Sequence, residues 1–233
     1  MNIKVSLFNS TTSDLCIVID QLRATTTITL ALDNFKRVIP VNDVKKALEY
    51  KDENTILAGE LDLNNIEGFD LTNSPHQIQN ASADRLVLLT TNGTRVLENV
   101  KKRDENIKVL VGTMLNAKSV AKEALKLACD EIEIIMAGRR ETFNMEDAIA
   151  AGIITEEIIK EAQNEGIELN LEESAQASLI LAQDHTQAQK LIMDSWGGQK
   201  LRKLGLEEDV KICTQINQTE NVGIYEDRQI HLI

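Results

Sequence analysis

The chain has 233 residues, of which 42% are hydrophobic and 27% are charged, as in folded globular proteins rather than disordered ones. Its 37 acidic and 25 basic residues give a net charge of -12, which repels nucleic acid and anionic lipid. No apolar run approaches the ~18 residues of a membrane span, and the N-terminus lacks a signal-peptide pattern. We therefore expect a cytoplasmic protein with neither nucleic acid nor membrane as a partner, and homo-oligomerisation stays open.

A repeated pattern runs along the chain, in which a short apolar run is followed by a polar loop and then by a helix-like segment. The apolar runs lie at 15–19, 86–89, 108–111 and 132–136. Continuous apolar runs of this length are typical of strands covered on both faces. Alternating strands and helices predict the α/β class, with a mainly parallel sheet in a three-layer α/β/α architecture. We expect a single unit over residues 1–233 with no linker, and an internal duplication into two related halves stays open.

Capping residues predict where the later helices begin and end. Asn144 is expected to cap a helix that opens with Glu146 and Asp147, because acids suit a helix N-terminus. Gly166 is expected to end that helix, and a bend or division of it at Gly152 stays open. Residues 172–194 form a further helical region by their apolar spacing. The tail is expected to close the sheet with strands at 210–213, 222–225 and 230–232.

The loop after the run at 15–19 is the first candidate site, because ligands of parallel α/β sheets collect at the carboxyl ends of strands. Hydroxyls of Thr25 and Thr26 and free N–H groups at a helix N-terminus can cradle an anion. Arg23 adds a bidentate fork, and Asp20 can hold a divalent cation beside that anion. The same residues also fit a simple helix cap with an Asp20–Arg23 ion pair, and spacing alone does not separate these interpretations.

A second candidate loop, after the run at 86–89, contains Thr91, Asn92, Gly93 and Thr94. Asn-Gly is a hairpin signal, but a strand-like run precedes it and a helix-like segment follows, so a strand-to-helix loop is the better interpretation. Gly93 would let backbone N–H groups approach a ligand closely, and the threonines offer hydroxyls to it. A threonine-rich helix cap is the alternative.

Two further regions supply acids. Glu60 follows the strand-like run at 55–58, and Asp70 lies in a Gly/Asn/Ser/Pro loop that is either a metal-binding loop or a surface connection. Arg139 follows the run at 132–136, ahead of the Glu146–Asp147 pair. The pair also fits simple capping, since the helix dipole favours acids there.

Together these motifs resemble the ComB family of 2-phosphosulfolactate phosphatases. Residues 18–28 follow the family pattern Val-Ile-Asp-x-Leu-Arg-Ala-Thr-(Ser/Thr)-Thr-Ile. The other similar segments are residues 58–61, 68–75, 90–94, 137–139 and 146–152. The chain departs from the family pattern at Leu61, where Arg is usual, and at Thr72, where Gly is common.

The resemblance implies the α/β three-layer fold and hydrolysis of the phosphate monoester of 2-phospho-3-sulfolactate, a small anionic substrate, with Mg²⁺. The product, sulfolactate, leads towards coenzyme M in methanogens. On this basis the expected catalytic residues are Asp20, Arg23 and Glu60. The expected substrate- and phosphate-binding residues are Arg23, Thr25, Thr26, Thr91, Asn92, Gly93, Thr94 and Arg139. The expected metal ligands are Asp20, Glu60, Asp70, Glu146 and Asp147.

Signatures of covalent phosphatase chemistry are missing. Gln21 and Leu22 follow Asp20, so there is no Asp-x-Asp motif of the haloacid-dehalogenase phosphatases, and neither a Cys-x5-Arg loop nor Arg-His-Gly occurs. We therefore expect metal-activated water with an acid as general base, and Asp20 as a nucleophile is the less favoured alternative. Two other functions stay open: a phosphatase or lyase acting on another small phosphorylated acid, and a non-catalytic anion-binding homologue.

Overall fold

In a computed structural model, the protein is described over residues 1–61, 64–140 and 142–233. Within these ranges the strands are β1 (Asn2–Leu7), β2 (Leu15–Ile19), β3 (Phe35–Val41), β4 (Thr55–Gly59), β5 (Ala83–Leu89), β6 (Lys108–Val111), β7 (Glu131–Met136), β8 (Asn170–Leu171), β9 (Gly223–Glu226) and β10 (Gln229–Leu232). The α-helices are α1 (Ala24–Ala31), α2 (Val44–Glu49), α3 (Pro75–Ile78), α4 (Asn92–Arg103), α5 (Ala117–Leu127), α6 (Met145–Glu165), α7 (Glu173–Ala182), α8 (His185–Asp194), α9 (Trp196–Lys203) and α10 (Glu207–Cys213). None of these helices is long and apolar enough to cross a membrane.

The strands of the described ranges join one sheet in the order β4-β5-β3-β10-β9-β6-β2-β7-β1-β8. Strands β6, β2, β7, β1 and β8 are mutually parallel and form what we call the large block. Strands β3, β5 and β4 are also parallel and form the small block. Between the blocks lies the hairpin β9–β10, which pairs antiparallel with β6 and with β3, so the two blocks run in opposite directions. The predicted mainly parallel sheet is confirmed as two blocks, and the duplication stays a prediction.

Helices cover both faces of the sheet, as β2 shows. All of its residues are buried, and successive side chains point to opposite faces. Leu15 and Ile17 belong to the apolar core that includes α5 and α6, whereas Cys16 and Val18 belong to the core that includes α1 and α4. Burying one such aliphatic side chain contributes about 1.5–3 kcal/mol. The predicted three-layer α/β/α fold is therefore confirmed.

Helix α6 follows the prediction closely. Its first turn holds Glu146 and Asp147, and Gly166 ends it in the left-handed conformation with φ 71. Asn144 occupies the N-cap position, but its side chain makes no capping hydrogen bond, so that part of the prediction is wrong. The helix runs past Gly152 without a break. A Cβ at this position would lie 2.0 Å from the carbonyl oxygen of Ser178 in α7. Close packing of two helices thus needs this glycine.

The tail is partly mispredicted. Residues 210–213 end the helix α10 rather than forming a strand. Val210 and Cys213 are buried, so the apolar residues that suggested a strand are the inner face of a short helix at i, i+3 spacing. The strands expected at 222–225 and 230–232 are confirmed as the hairpin β9–β10.

The connection from β1 to β2 contains no helix and crosses the sheet over β7, because β1 and β2 both pair in parallel with that strand. Glu133, in β7, holds this crossing loop. Its carboxylate accepts hydrogen bonds from the hydroxyls of Ser6 and Ser10, at 2.5 and 2.7 Å, and from the N–H groups of Thr11 and Thr12, at 2.9 and 3.0 Å. Burial opposes ionisation of Glu133, but these bonds outweigh it and keep the pKa of Glu133 below its usual value.

Candidate active site

A cleft of about 380 Å³ lies where the loops after β2, β4, β5 and β7 meet. Its wall includes the buried side chains of Asp20 and Arg23. A larger cleft of about 720 Å³, between Lys46 and Arg228, is lined mostly by charged side chains of the surface. Buried charged groups in a concave site are the stronger sign of function, so the smaller cleft is the candidate active site.

The two blocks of the sheet meet at Asp20. This residue follows β2, in the large block, and its Oδ2 accepts a hydrogen bond of 3.1 Å from the N–H of Gly93, which follows β5 in the small block. A Cβ on residue 93 would lie 3.3 Å from that oxygen and 3.4 Å from the Cβ of Ala24, so glycine permits the contact. Residues 90–93 thus lead from a strand into α4, which confirms the strand-to-helix interpretation.

The Asp20 carboxyl group is buried against the ends of α1 and α4. Burial raises its pKa to about 6, although the N–H groups of Ala24 and Gly93 lower it, and the nearby Glu146 raises it further. A carboxyl group in a cleft with a pKa near neutrality is typical of proton-transfer sites. The structure therefore puts the first predicted residue in a reactive environment.

Glu146 and Asp147 stand side by side in α6 but differ in their partners. Both Asp147 oxygens accept backbone hydrogen bonds, from Gln21 at 2.8 Å and from Gly138 at 2.9 Å, which ties the loops after β2 and β7 together. Glu146 lines the cleft, and burial raises its pKa. Burial and then the neighbouring Asp20 and Glu146 charges raise the pKa of Asp147 well above its usual value. Asp147 positions the loops, while Glu146 faces the cleft.

Arg23 is clamped between two carboxylates. Its Nη1 donates to Oδ2 of Asp209 and its Nη2 donates to Oε2 of Glu60, both at 2.5 Å. Asp209 also accepts hydrogen bonds from the Ser74 hydroxyl, at 2.6 Å, and from the His76 N–H, at 3.2 Å. The expected Asp20–Arg23 ion pair is therefore wrong, since Arg23 joins the segments after β2 and β4 to α10 instead. Asp209 was not predicted, because the strand expected just after it concealed the helix.

The predicted hydroxyl ligands divide into two groups. Thr25 and Thr94 are buried, and their hydroxyls bond to the Asp20 N–H at 3.0 Å and to the Val41 carbonyl at 3.4 Å. Thr26 is also buried and donates to the Gln21 carbonyl at 3.0 Å, so these three threonines stabilise the loops. The residues of this prediction that line the cleft are Arg23, Thr91, Asn92 and Arg139.

Asp70 lies away from the cleft. Its Oδ2 accepts a hydrogen bond of 2.9 Å from the Leu57 N–H, and its Oδ1 lies 3.9 Å from Nζ of Lys51. Leu61, which stands where the family pattern has Arg, is 49% exposed and lies outside the cleft lining. Among the described residues, no group of three or more His, Cys, Asp or Glu side chains is placed to hold one metal ion. The five acids predicted as ligands thus do not form a single cluster.

Helix α9 supplies a part of the cleft wall that was not predicted from the sequence. Trp196, Gly197 and Lys200 line the cleft, and the ring of Trp196 contacts Arg139 from the loop after β7. A Cβ on Gly197 would lie 2.6 Å from Oε1 of Glu146, so this glycine makes room for that carboxylate. The signal that could have found this wall is the chain's one tryptophan followed by a lysine one helical turn later.

The fold and the cleft define a three-layer α/β enzyme whose site combines buried carboxylates with cations for a small anionic ligand. A model of the 2-phosphosulpholactate phosphatase family matches residues 2–228. The chain is 40% identical, over 100% of its length and 96% of the relative's, to the "2-phosphosulfolactate phosphatase" of Methanothermobacter thermautotrophicus. It is 34% identical, over 93% of its length and 90% of the relative's, to the "Probable 2-phosphosulfolactate phosphatase" of Clostridium beijerinckii.

A relative from Caldanaerobacter subterraneus, also named "Probable 2-phosphosulfolactate phosphatase", is 36% identical over 88% of this chain and 85% of its own. The chain therefore belongs to the 2-phosphosulpholactate phosphatase family, a family of phosphoric monoester hydrolases. The resemblance drawn from the motifs is confirmed.

Proposed function

We propose that this protein hydrolyses 2-phospho-3-sulfolactate to sulfolactate and inorganic phosphate, with Mg²⁺ as its cofactor. The observation that carries the proposal is the buried Asp20 carboxylate in the wall of a cleft that also presents Arg139 and Lys200. The names of the family and of its relatives support this choice of substrate. The substrate is multiply anionic, which matches cations gathered at one point of a chain whose net charge is -12.

Asp20 is the residue on which the chemistry would depend. Attack of water on a phosphate monoester requires removal of a proton from the water and neutralisation of the charge on the phosphoryl group. With a pKa raised by burial to about 6, Asp20 is largely ionised at neutral pH and still basic enough to accept a proton. The Gly93 N–H fixes the orientation of its carboxylate. Asp20 would act either as this base or as a metal ligand.

Arg23 would organise the site rather than carry a free positive charge. Its two carboxylate partners, Glu60 and Asp209, already offset its charge. Removing one member of such a buried group leaves an unpaired charge, which costs about 3–5 kcal/mol. Arg23, Glu60 and Asp209 would therefore keep the loops after β2 and β4 in place.

The carboxylates of the cleft fit a magnesium ion. Among the described residues that line it, Asp20 and Glu146 are the acids that make no ion pair, and burial raises the pKa of both. Hard carboxylate oxygens suit Mg²⁺, which commonly uses one or two protein carboxylates and keeps waters or substrate oxygens as its other ligands. Asp20 and Glu146 would hold the ion, and bound Mg²⁺ would neutralise charge on the phosphoryl group.

The test is phosphate release from 2-phospho-3-sulfolactate, measured with Mg²⁺, after exhaustive chelation with EDTA, and after Mg²⁺ is added back. We expect release that chelation abolishes and Mg²⁺ restores. Release that survives chelation would contradict the magnesium requirement. No release under any of these conditions would contradict the proposed substrate.

A further inference from the structure

The cations of the cleft are of two kinds. Arg23 is buried and bound by Glu60 and Asp209. Arg139 and Lys200 also line the cleft, but in the described part of the chain their charged groups contact the ring of Trp196 rather than a carboxylate. Their charges are therefore available to a ligand, whereas that of Arg23 is already offset.

Trp196 is the support on which these two cations lie. The Arg139 guanidinium carbon is 3.9 Å from the centre of its ring, and Nζ of Lys200 is 4.9 Å from it. Lys200 follows Trp196 by four residues in α9 and so shares its face of the helix, while Arg139 comes from the loop after β7. The ring attracts a cation through its face and leaves the N–H donors at the edge of the guanidinium group free for an anion.

The exposure of Trp196 also indicates a ligand. It is the one tryptophan of a chain with 3% aromatic residues, yet it lines the cleft and 55% of its surface is exposed. A large apolar surface beside two available cations suits an anion whose charge is diffuse and whose carbon atoms need an apolar contact. Compared with such an anion, a carboxylate has a smaller charged group. A phosphate dianion is more strongly hydrated.

We infer that Arg139 and Lys200, held on Trp196, bind the sulfonate group of the substrate. A sulfonate spreads one permanent charge over three oxygens, and its adjoining methylene can contact the indole ring. This inference rests on the proposed function, because it assigns one group of that substrate to one wall of the cleft. The phosphoryl group would then lie towards Asp20 and Glu146.

The sole tryptophan allows a direct binding test that does not depend on turnover. Sulfolactate is titrated into the protein while the fluorescence of Trp196 is followed, and lactate, which keeps the carboxylate and hydroxyl but has no sulfonate, is titrated in parallel. We expect a saturable change with sulfolactate and none with lactate at the same concentrations. Lys200→Met should weaken sulfolactate binding about tenfold or more, as expected for the loss of one charge-assisted contact.

The matched control is Lys203→Met, which removes an exposed lysine from the same helix. Its sulfolactate affinity should equal that of the unaltered protein. Equal affinity of Lys200→Met and the unaltered protein for sulfolactate would overturn the inference. Equal binding of lactate and sulfolactate would also overturn it, because the site would then bind the carboxylate that the two molecules share.

Kinetics give a second readout. For 2-phospho-3-sulfolactate, Lys200→Met should raise KM about tenfold with little change in kcat, and for 2-phospholactate, which lacks the sulfonate, it should change neither. Equal losses on both substrates would assign Lys200 to the phosphoryl or carboxylate group instead. If sulfolactate binds as expected but no phosphate is released from either ester, the proposed function fails while the sulfonate site stands.

Discussion

Two buried carboxyl groups on neighbouring strands, Glu133 in β7 and Asp20 at the end of β2, have pKa values shifted in opposite directions. Glu133 is 0% exposed and Asp20 is 8% exposed, so burial penalises the ionised form of both. Glu133 nevertheless has its pKa kept below the usual value, whereas burial raises the pKa of Asp20 to about 6. Burial alone therefore does not decide whether a carboxyl group is structural or reactive.

The difference lies in what surrounds each group. Glu133 is enclosed by hydroxyl and N–H donors of β1 and of the crossing loop, and these donors outweigh the penalty of burial. Asp20 has N–H donors too, but it also faces the charge of Glu146. A buried charge with enough donors fixes a loop, while one that shares its site with other acids needs an outside partner such as a cation or a proton.

Replacing Asp20 with Asn should produce the largest change in activity. Asn keeps the shape and caps helices about as well as Asp, so the melting temperature should change little. The amide cannot accept a proton and binds Mg²⁺ weakly, so kcat should fall about 10²–10⁴-fold. Phosphate release at saturating Mg²⁺ and thermal unfolding are the two measurements.

A magnesium titration of the same variant separates the two roles of Asp20. Activity that returns at high Mg²⁺ would identify a metal ligand, and a low kcat with an unchanged Mg²⁺ requirement would identify the base. An unaltered kcat together with an unaltered melting temperature would leave Asp20 a helix cap and remove it from the chemistry.

Replacing Glu133 with Gln should give the reverse result. The variant places an amide N–H₂ among donors that need acceptors, so the free energy of unfolding should fall by about 2–4 kcal/mol. The kcat of the folded fraction should not change, because Glu133 lies under the crossing loop and outside the cleft lining. Chemical denaturation and active-site-normalised kinetics would check both statements, and a lower kcat at unchanged stability would contradict them.

Acid unfolding adds a signed check on Glu133. Its folded-state pKa lies below the usual value of 4.5, so its stabilisation is present above pH 4.5 and is lost as the pH falls through the lower folded value. Below pH 4.5 the unaltered protein should therefore lose stability more steeply than the Gln variant.

Substitutions of two adjacent glycines in α9 should have smaller effects, one on activity and the other on stability. A Cβ on Gly197 would meet Oε1 of Glu146 at 2.6 Å, and this flexible side chain can move, so Gly197→Ala should lower kcat about tenfold or more at unchanged stability. A Cβ on Gly198 would meet the Ile192 carbonyl oxygen at 2.3 Å, which is fixed backbone, so Gly198→Ala should lower the melting temperature. Equal effects of the two variants on kcat would argue against a role for Glu146.

Arg85→Ala should have the smallest effect. Arg85 lies near the start of β5, at the end of the strand remote from the cleft, and forms a partly exposed ion pair with Asp52. Such pairs contribute about 0–1 kcal/mol to stability, so unfolding should shift little and kcat should not change. A large loss of activity in this variant would contradict the proposed location of the active site, because it would place the site at the end of the strands where Arg85 lies.

Much of the fold can be predicted from the sequence because its central strands are buried on both faces and read as continuous apolar runs. Strand β3 lacks this signal, since it begins Phe35-Lys36-Arg37 with two exposed cations and contains Pro40, a residue that usually argues against an inner strand. Helix α10 is too short for its two buried apolar residues, Val210 and Cys213, to show a helical period.

The site residues also divide into those that could be predicted from the sequence and those that could not. Asp20, Glu60, Asn92 and Arg139 could be found because each follows a recognisable strand. Asp209 and Lys200 come from the C-terminal helices, and only long-range packing brings them to the cleft. The inward orientation of Thr25 was also hidden, because a hydroxyl that holds the Asp20 N–H looks the same in sequence as one that faces a ligand.

The hairpin β9–β10 has a consequence for the order of events on the ribosome. Residues 223–232 follow every residue of the cleft in the chain, yet they form the hydrogen-bonded connection between the large and small blocks. Chains emerge N-terminal end first at about 5–20 residues per second, so all cleft-lining residues are synthesised before the sheet can be completed. A nascent chain therefore contains every cleft-lining residue of the described ranges before the hairpin that connects the two blocks has been translated.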